Sequence, residues 1–220
     1  TLNVNTAGNN TGFGTQALTS NTSATNNTAV GYQSLFANTT GANNTAMGVI
    51  TLDANTTGAN NTAVGSSALS ANTTGGFNVA VGATALNANT TASNNVAVGY
   101  GALQVNTTGA QNVAVGTSAG DAITTASNCT LIGHNAGGAV VGGTNTTAIG
   151  YNAGDAITNQ VNNVMMGVNA GTAVTSDSNT LIGTSAGELI TTGAKNTILG
   201  RYTGNQGGLD IRTSSNQIVL

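Results

Sequence analysis

The stretch "NNTAVGYQSLFANTTGA", Asn26–Ala42, decides the fold, because the chain repeats it almost verbatim. "NNTAMGVITLDANTTGA" follows at Asn43 and "NNTAVGSSALSANTTGG" at Asn60. The Gly closing each "TAVG" unit recurs as Gly14, Gly31, Gly48, Gly65, Gly82, Gly99, Gly116, Gly133, Gly150, Gly167, Gly183 and Gly200. Every interval is 17 residues except one of 16, between Gly167 and Gly183. A period this short is unsuited to helix-pair repeats. It predicts an all-β chain, a parallel β-solenoid or β-roll of twelve coils.

Composition narrows what such a chain can do. Among 220 residues there are 3 Lys and Arg, 6 Asp and Glu, and no Pro or Trp. Three cations cannot neutralise a row of phosphates, so nucleic acid is not an expected partner. No run of about 18 apolar residues exists, and no membrane insertion is expected. A basic segment followed by an apolar one, the mark of a signal peptide, is not visible. Cys129 is alone and forms no internal disulfide.

Read down its columns, the repeat describes its own packing. The position before the Gly is large and apolar in every copy, and we read it, in Val30, Val64, Val81, Val98, Val115, Ile132, Ile149, Met166, Ile182 and Leu199, as the coil core. Two positions earlier only Thr or Val occurs, both β-branched and suited to a strand. Strand alternation puts those two columns on one face. The column between them is apolar too: Ala29, Ala63 and Ala97, then Leu131, Met165, Leu181 and Ile198. A strand apolar on both faces is usually covered on both. This second column is therefore assigned to the interface between copies of the chain. The Asn preceding the Thr/Val position, as at Asn27, Asn44 and Asn61, is expected both to stack along the axis and to serve as a turn residue. The anchor Gly is expected at a corner needing positive φ or close backbone approach.

A second pattern splits the solenoid, residues 1–204, near Gly116. Four residues after the anchor the first six copies carry Leu18, Leu35, Leu52, Leu69, Leu86 and Leu103. The later copies carry Gly120, Gly137, Gly154, Gly171, Gly187 and Gly204 there. Seven residues after the anchor, Asn38, Asn55, Asn72, Asn89 and Asn106 give way to Ile123, Val140, Ile157, Val174 and Ile190. The paired exchange predicts one core filled in two ways. After Gly204 the register ends, and residues 205–220 read as the start of a separate C-terminal β module.

Little in the sequence carries reactive chemistry. His134 is the only His, and its column also holds Tyr32, Tyr100, Tyr151 and Arg201, as a solvated face would. Asp53, Asp121, Asp155 and Glu188 share another varied column and form no recognisable metal spacing. No enzyme activity, metal or cofactor is expected. The polar surface does carry Tyr32, Phe36, Tyr100, His134, Tyr151, Arg201 and Tyr202, candidate contacts for a host-surface glycan or protein. A column of Thr39, Thr56, Thr73, Thr90 and Thr107 prompts an ice-binding solenoid as a further alternative.

The units "NNTAVGYQSL", "NNVAVGYGAL" (Asn94–Leu103) and "NTILG" resemble the head repeats of trimeric autotransporter adhesins of the YadA type, though with a longer period. The longer form, ending in "SSNQIVL", more closely resembles bacteriophage tail-fibre proteins, whose repeats precede a cleavable trimerising chaperone. The resemblance implies a homotrimer within a virion tail fibre, joined to other tail or baseplate proteins and attached to a host surface outside the cell. The alternative it implies is an adhesin head on a bacterial outer surface.

Overall fold

The computed structural model describes residues 8–220 and contains strands, turns and no helix among them. It is an all-β, parallel β-solenoid of about twelve turns, as the period predicts. The chain divides into two compact units, Thr1–Gln111 and Asn112–Leu220. The division falls close to Gly116, where the columns change.

In the first unit each coil contributes one three-residue strand: β1 (Thr11–Phe13), β2 (Thr28–Val30), β3 (Thr45–Met47), β4 (Thr62–Val64), β5 (Val79–Val81) and β6 (Val96–Val98). Successive strands pair in parallel, with equivalent residues in register, Thr28↔Thr45 and Ala29↔Ala46 for example. The second unit repeats this with β7 (Val113–Val115), β8 (Thr130–Ile132), β9 (Thr147–Ile149), β10 (Val164–Met166), β11 (Thr180–Ile182) and β12 (Thr197–Leu199). The 16-residue interval keeps register, Val164 pairing with Thr180, so the missing residue is absorbed outside the strand.

The two apolar faces are the reverse of the sequence assignment. Ala29, Ala63, Ala97, Leu131, Met165, Leu181 and Ile198 are 0 % exposed and fill the coil interior, so they are not an interface. Val30, Val64, Val98, Val115, Ile149 and Ile182 are half-buried on the outer face, while Val81, Ile132, Met166 and Leu199 are exposed there. The physical reason is volume. Each coil is thin, and in the first unit its interior is already occupied by Leu35 and its equivalents, all fully buried. Only a methyl group fits opposite them.

In the second unit the same space is filled from the other side. A Cβ on Gly137 would lie 2.8 Å from Leu131, and one on Gly187 would lie 2.8 Å from Leu181. Leu or Met on the strand therefore accompanies Gly at the corner, while Ile123, Ile157 and Ile190 complete the core. The corner residue has positive φ in both units, near 50° at Leu35 and Leu52 and near 60° at Gly120 and Gly137. The anchor Gly meets both expected demands. Gly31 has φ 132°, and a Cβ there would run into the carbonyl oxygen of Gly48 in the next coil.

The Asn columns divide their labour differently from the expectation. Left-handed backbone falls one residue earlier than predicted, at Asn26, Asn43 and Asn60. Asn27, Asn44 and Asn61 are buried and stack: Oδ1 of each accepts the backbone N–H of the next, at 2.8 Å from Asn44 and 2.9 Å from Asn61. Direct amide-to-amide bonding runs along the other column. Asn55 donates to Asn38 Oδ1 at 2.8 Å, Asn72 to Asn55 at 2.8 Å and Asn89 to Asn72 at 2.9 Å.

Residues 205–220 are not a separate module. β15 (Ile218–Val219) pairs in parallel with β12, Thr197↔Ile218, and Gln217 N–H donates to Asn196 Oδ1 at 2.9 Å. Ile211 is buried like Ile190 before it. The tail is one more turn, four residues longer than the regular coil, its six residues 205–210 forming the hairpin β13 (Asn205–Gln206) and β14 (Leu209–Asp210). The enlarged spacing, 21 residues from Thr197 to Ile218, hides this turn from a search at the regular period.

Candidate functional site

Side chains following the anchor Gly leave the coil at a corner, where the larger ones reach solvent whatever their chemistry. Tyr32, Tyr100, His134, Tyr151 and Arg201 are all exposed there. Phe36 and Tyr202 are half-buried. In the first unit Tyr32 and Tyr100 stand apart, with Val49, Ser66 and Ala83 between them in the same column.

The second unit brings two of the candidates together. The rings of His134 and Tyr151 stack with centroids 5.4 Å apart and planes inclined by 17°. Beside them Asn135 Nδ2 donates to Asn152 Oδ1 at 3.2 Å and to Asp155 Oδ1 at 2.9 Å. The stack covers one face of each ring, and the ring edges project from an exposed corner.

No ligand set emerges from the acidic column. Burial raises the pKa of Asp53 and of Asp121; at Asp121 a hydrogen bond from Ser118 opposes the shift and the charge of Asp155 adds to it. No group of three His, Cys, Asp or Glu able to hold a metal occurs among the described residues. Cys129 replaces Asn in a ladder, where it is buried with Sγ 3.4 Å from the Gly143 carbonyl, and burial raises its thiol pKa. A thiol so placed is unreactive. The Thr column is similarly committed: Thr39, Thr56 and Thr73 donate their hydroxyls to carbonyls of the following coil at 3.0–3.1 Å.

One concave feature escaped the sequence reading. The hairpin β13–β14 emerges at the corner that carries Ala173 and Leu189 in the two preceding coils, and a cleft of about 340 Å³ opens at its base. Leu189, Thr191, Asp210, Arg212 and Thr213 line it with Ala173. Asp210 and Arg212 form a bidentate pair, Nε to Oδ1 at 3.0 Å and Nη2 to Oδ2 at 2.7 Å. Those hydrogen bonds hold the Asp210 carboxyl below its ordinary range. Tyr202 secures the hairpin by donating its hydroxyl to the Leu209 carbonyl at 2.6 Å. The signal available in the sequence was the lengthened turn with its Gly207–Gly208 tip and its adjacent pair of opposite charges.

Comparisons with family models, curated proteins and solved structures returned no match. The solenoid is therefore established by its geometry.

Proposed function

We propose that this chain is a shaft segment of a bacteriophage tail fibre, a homotrimer that carries attachment to the host surface. The observation that supports this reading is the outer face of the strand ladder. There the paired columns Val79/Val81 and Val96/Val98, and in the second unit Val113/Val115 and Val164/Met166, present apolar side chains on a face without charge. Contiguous apolar patches of this kind mark association surfaces. The face carries no charge, so copies meet there without repulsion, and in a closed threefold ring the same face of every subunit turns toward the axis. The number three comes from the resemblance of the repeats. Under this reading the subunit contact lies on the Val column rather than the Ala column.

Adhesion is assigned to the corners, the most variable positions of the repeat. Light scattering of the purified protein should return about three times the chain mass of 21.3 kDa. Labelled protein should also bind intact cells of at least one strain in a bacterial panel. A folded monomer refutes the assembly, and binding to no strain refutes the attachment.

A further inference from the structure

A solenoid that repeats one coil spends most of its sequence on stacking, so an insertion at one corner is where additional chemistry is carried. The hairpin in the last turn is such an insertion, and the structure shows what holds it in place. Ile211 N–H donates to the Gly204 carbonyl at 2.8 Å, as Ile190 does to Gly187 at 3.0 Å. The core contact is thus retained while six residues replace the usual two. Arg212 falls in the column of Thr175 and Thr191. Its carbonyl accepts from Thr191 N–H at 2.9 Å and from Thr191 Oγ1 at 3.3 Å. This fixes the backbone from which the guanidinium projects.

The groups left free define the ligand. Asp210 occupies two of the five guanidinium hydrogens, leaving three N–H donors on Arg212. The Asp210 oxygens, engaged by Arg212 alone, keep acceptor capacity. Thr191 Oγ1, having donated its hydrogen, remains an acceptor, and Leu189 and Ala173 give a small aliphatic floor. The charges of Asp210 and Arg212 cancel, which disfavours a simple anion or cation. A volume of about 340 Å³ lies at the small end of ligand pockets, whose range is about 300–1,000 Å³.

We propose that this cleft binds one neutral sugar residue of a surface polysaccharide, with the Asp210–Arg212 pair holding two adjacent hydroxyl groups. Each hydroxyl both donates and accepts, which matches a fixed plane offering carboxylate oxygens beside guanidinium hydrogens. The aliphatic edge of the ring rests on Leu189. The surface-attachment reading supplies the source of the sugar; the geometry of the cleft does not depend on it.

The test is ligand-observed saturation-transfer NMR on the full chain with the methyl glycosides of glucose, galactose and mannose and their disaccharides. Methyl-labelled protein locates the contact, because Ala173, Leu189 and Thr191 carry reporter groups in the cleft. At least one neutral sugar should bind and shift those methyl signals. Arg212→Ala should weaken it by about tenfold or more, the scale of a lost charge-assisted hydrogen bond, with the circular dichroism unchanged. The proposal is overturned if no neutral sugar binds, if only charged sugars bind, or if the shifts centre on Val168 near Tyr151. It is also overturned if Arg212→Ala binds as well as the parent. Should that variant fail to fold, the methyl shifts of the parent chain decide the matter. Cell binding without sugar binding removes the cleft and leaves the attachment reading; sugar binding without cell binding does the reverse.

Discussion

Asp53 stands five residues after Gly48, in a column that Ser70 and Asn87 share. Its Oδ1 is buried without a hydrogen-bond partner. Burial raises its pKa above the ordinary 3.8, against a smaller opposing effect of its own and the Ala54 backbone N–H. The folded chain therefore binds this proton more tightly than the unfolded chain. The stability it contributes is present in acid and is lost as pH rises from below 3.8 through the raised folded value. Asp53→Asn removes the penalty, and Asn87 shows that an amide is accommodated in this column, donating to the Ser67 carbonyl at 3.0 Å. The variant should melt higher than the parent at pH 7, with the difference shrinking by pH 3. Solvent screening of this half-exposed group keeps the gain below about 1 kcal/mol, within roughly 2–4 °C of melting temperature. A lower melting point at pH 7 would contradict the assigned cause.

A coil is an element with a fixed interior, and its residues exchange only in compensating sets. Leu69 fills that interior in the first unit from a backbone with φ 51°, opposite Ala63. In the second unit Gly137 takes the corner and Leu131 the strand. Leu69→Gly alone should cost about 2–5 kcal/mol for the cavity, less about 1 kcal/mol of relieved left-handed strain. Ala63→Leu alone should cost about 1–3 kcal/mol by overpacking. In chemical denaturation the double variant should cost less than the sum by about 1 kcal/mol or more, as touching residues do; additive costs would mean that the two columns do not meet. The period, the strands and the corner glycines were legible in the sequence because stacking imposes them on every copy. The inward face was not, since both faces are apolar and no polar side breaks the tie. The deciding signal was size: the strand column enlarges to Leu131, Met165 and Leu181 where the corner loses its Leu, which identifies two groups sharing one volume. Assigning that column to an interface because both faces are apolar reversed the faces. The cleft was obscured for a different reason, because its four inserted residues break the spacing that made everything else visible.

For the whole molecule, the reversal changes what a charge on each face should do. Ala97 is fully buried and Val98, its neighbour on β6, points outward and is half-buried. Ala97→Asp places an unpaired carboxylate in an interior with no cation to meet it, at a cost of several kcal/mol. It should lose strand circular dichroism and expose the chain to proteolysis. Val98→Asp reads differently. Within one chain the carboxylate can reach water, so the coil should keep its strand signal and most of its denaturation midpoint. In a symmetric assembly the same substitution enters every copy at once and sets like charges against one another across a dry contact. Light scattering should then fall from about three chains to one while the spectrum is retained. A Val98→Asp variant that remains trimeric would exclude the outer strand face as the subunit contact and leave the corners as the remaining surface. Unfolding by Val98→Asp with a tolerant Ala97→Asp would invert the faces once more. A folded monomer from Val98→Asp beside an unfolded Ala97→Asp would assign the coil interior to the Ala column and the joint between chains to the Val column.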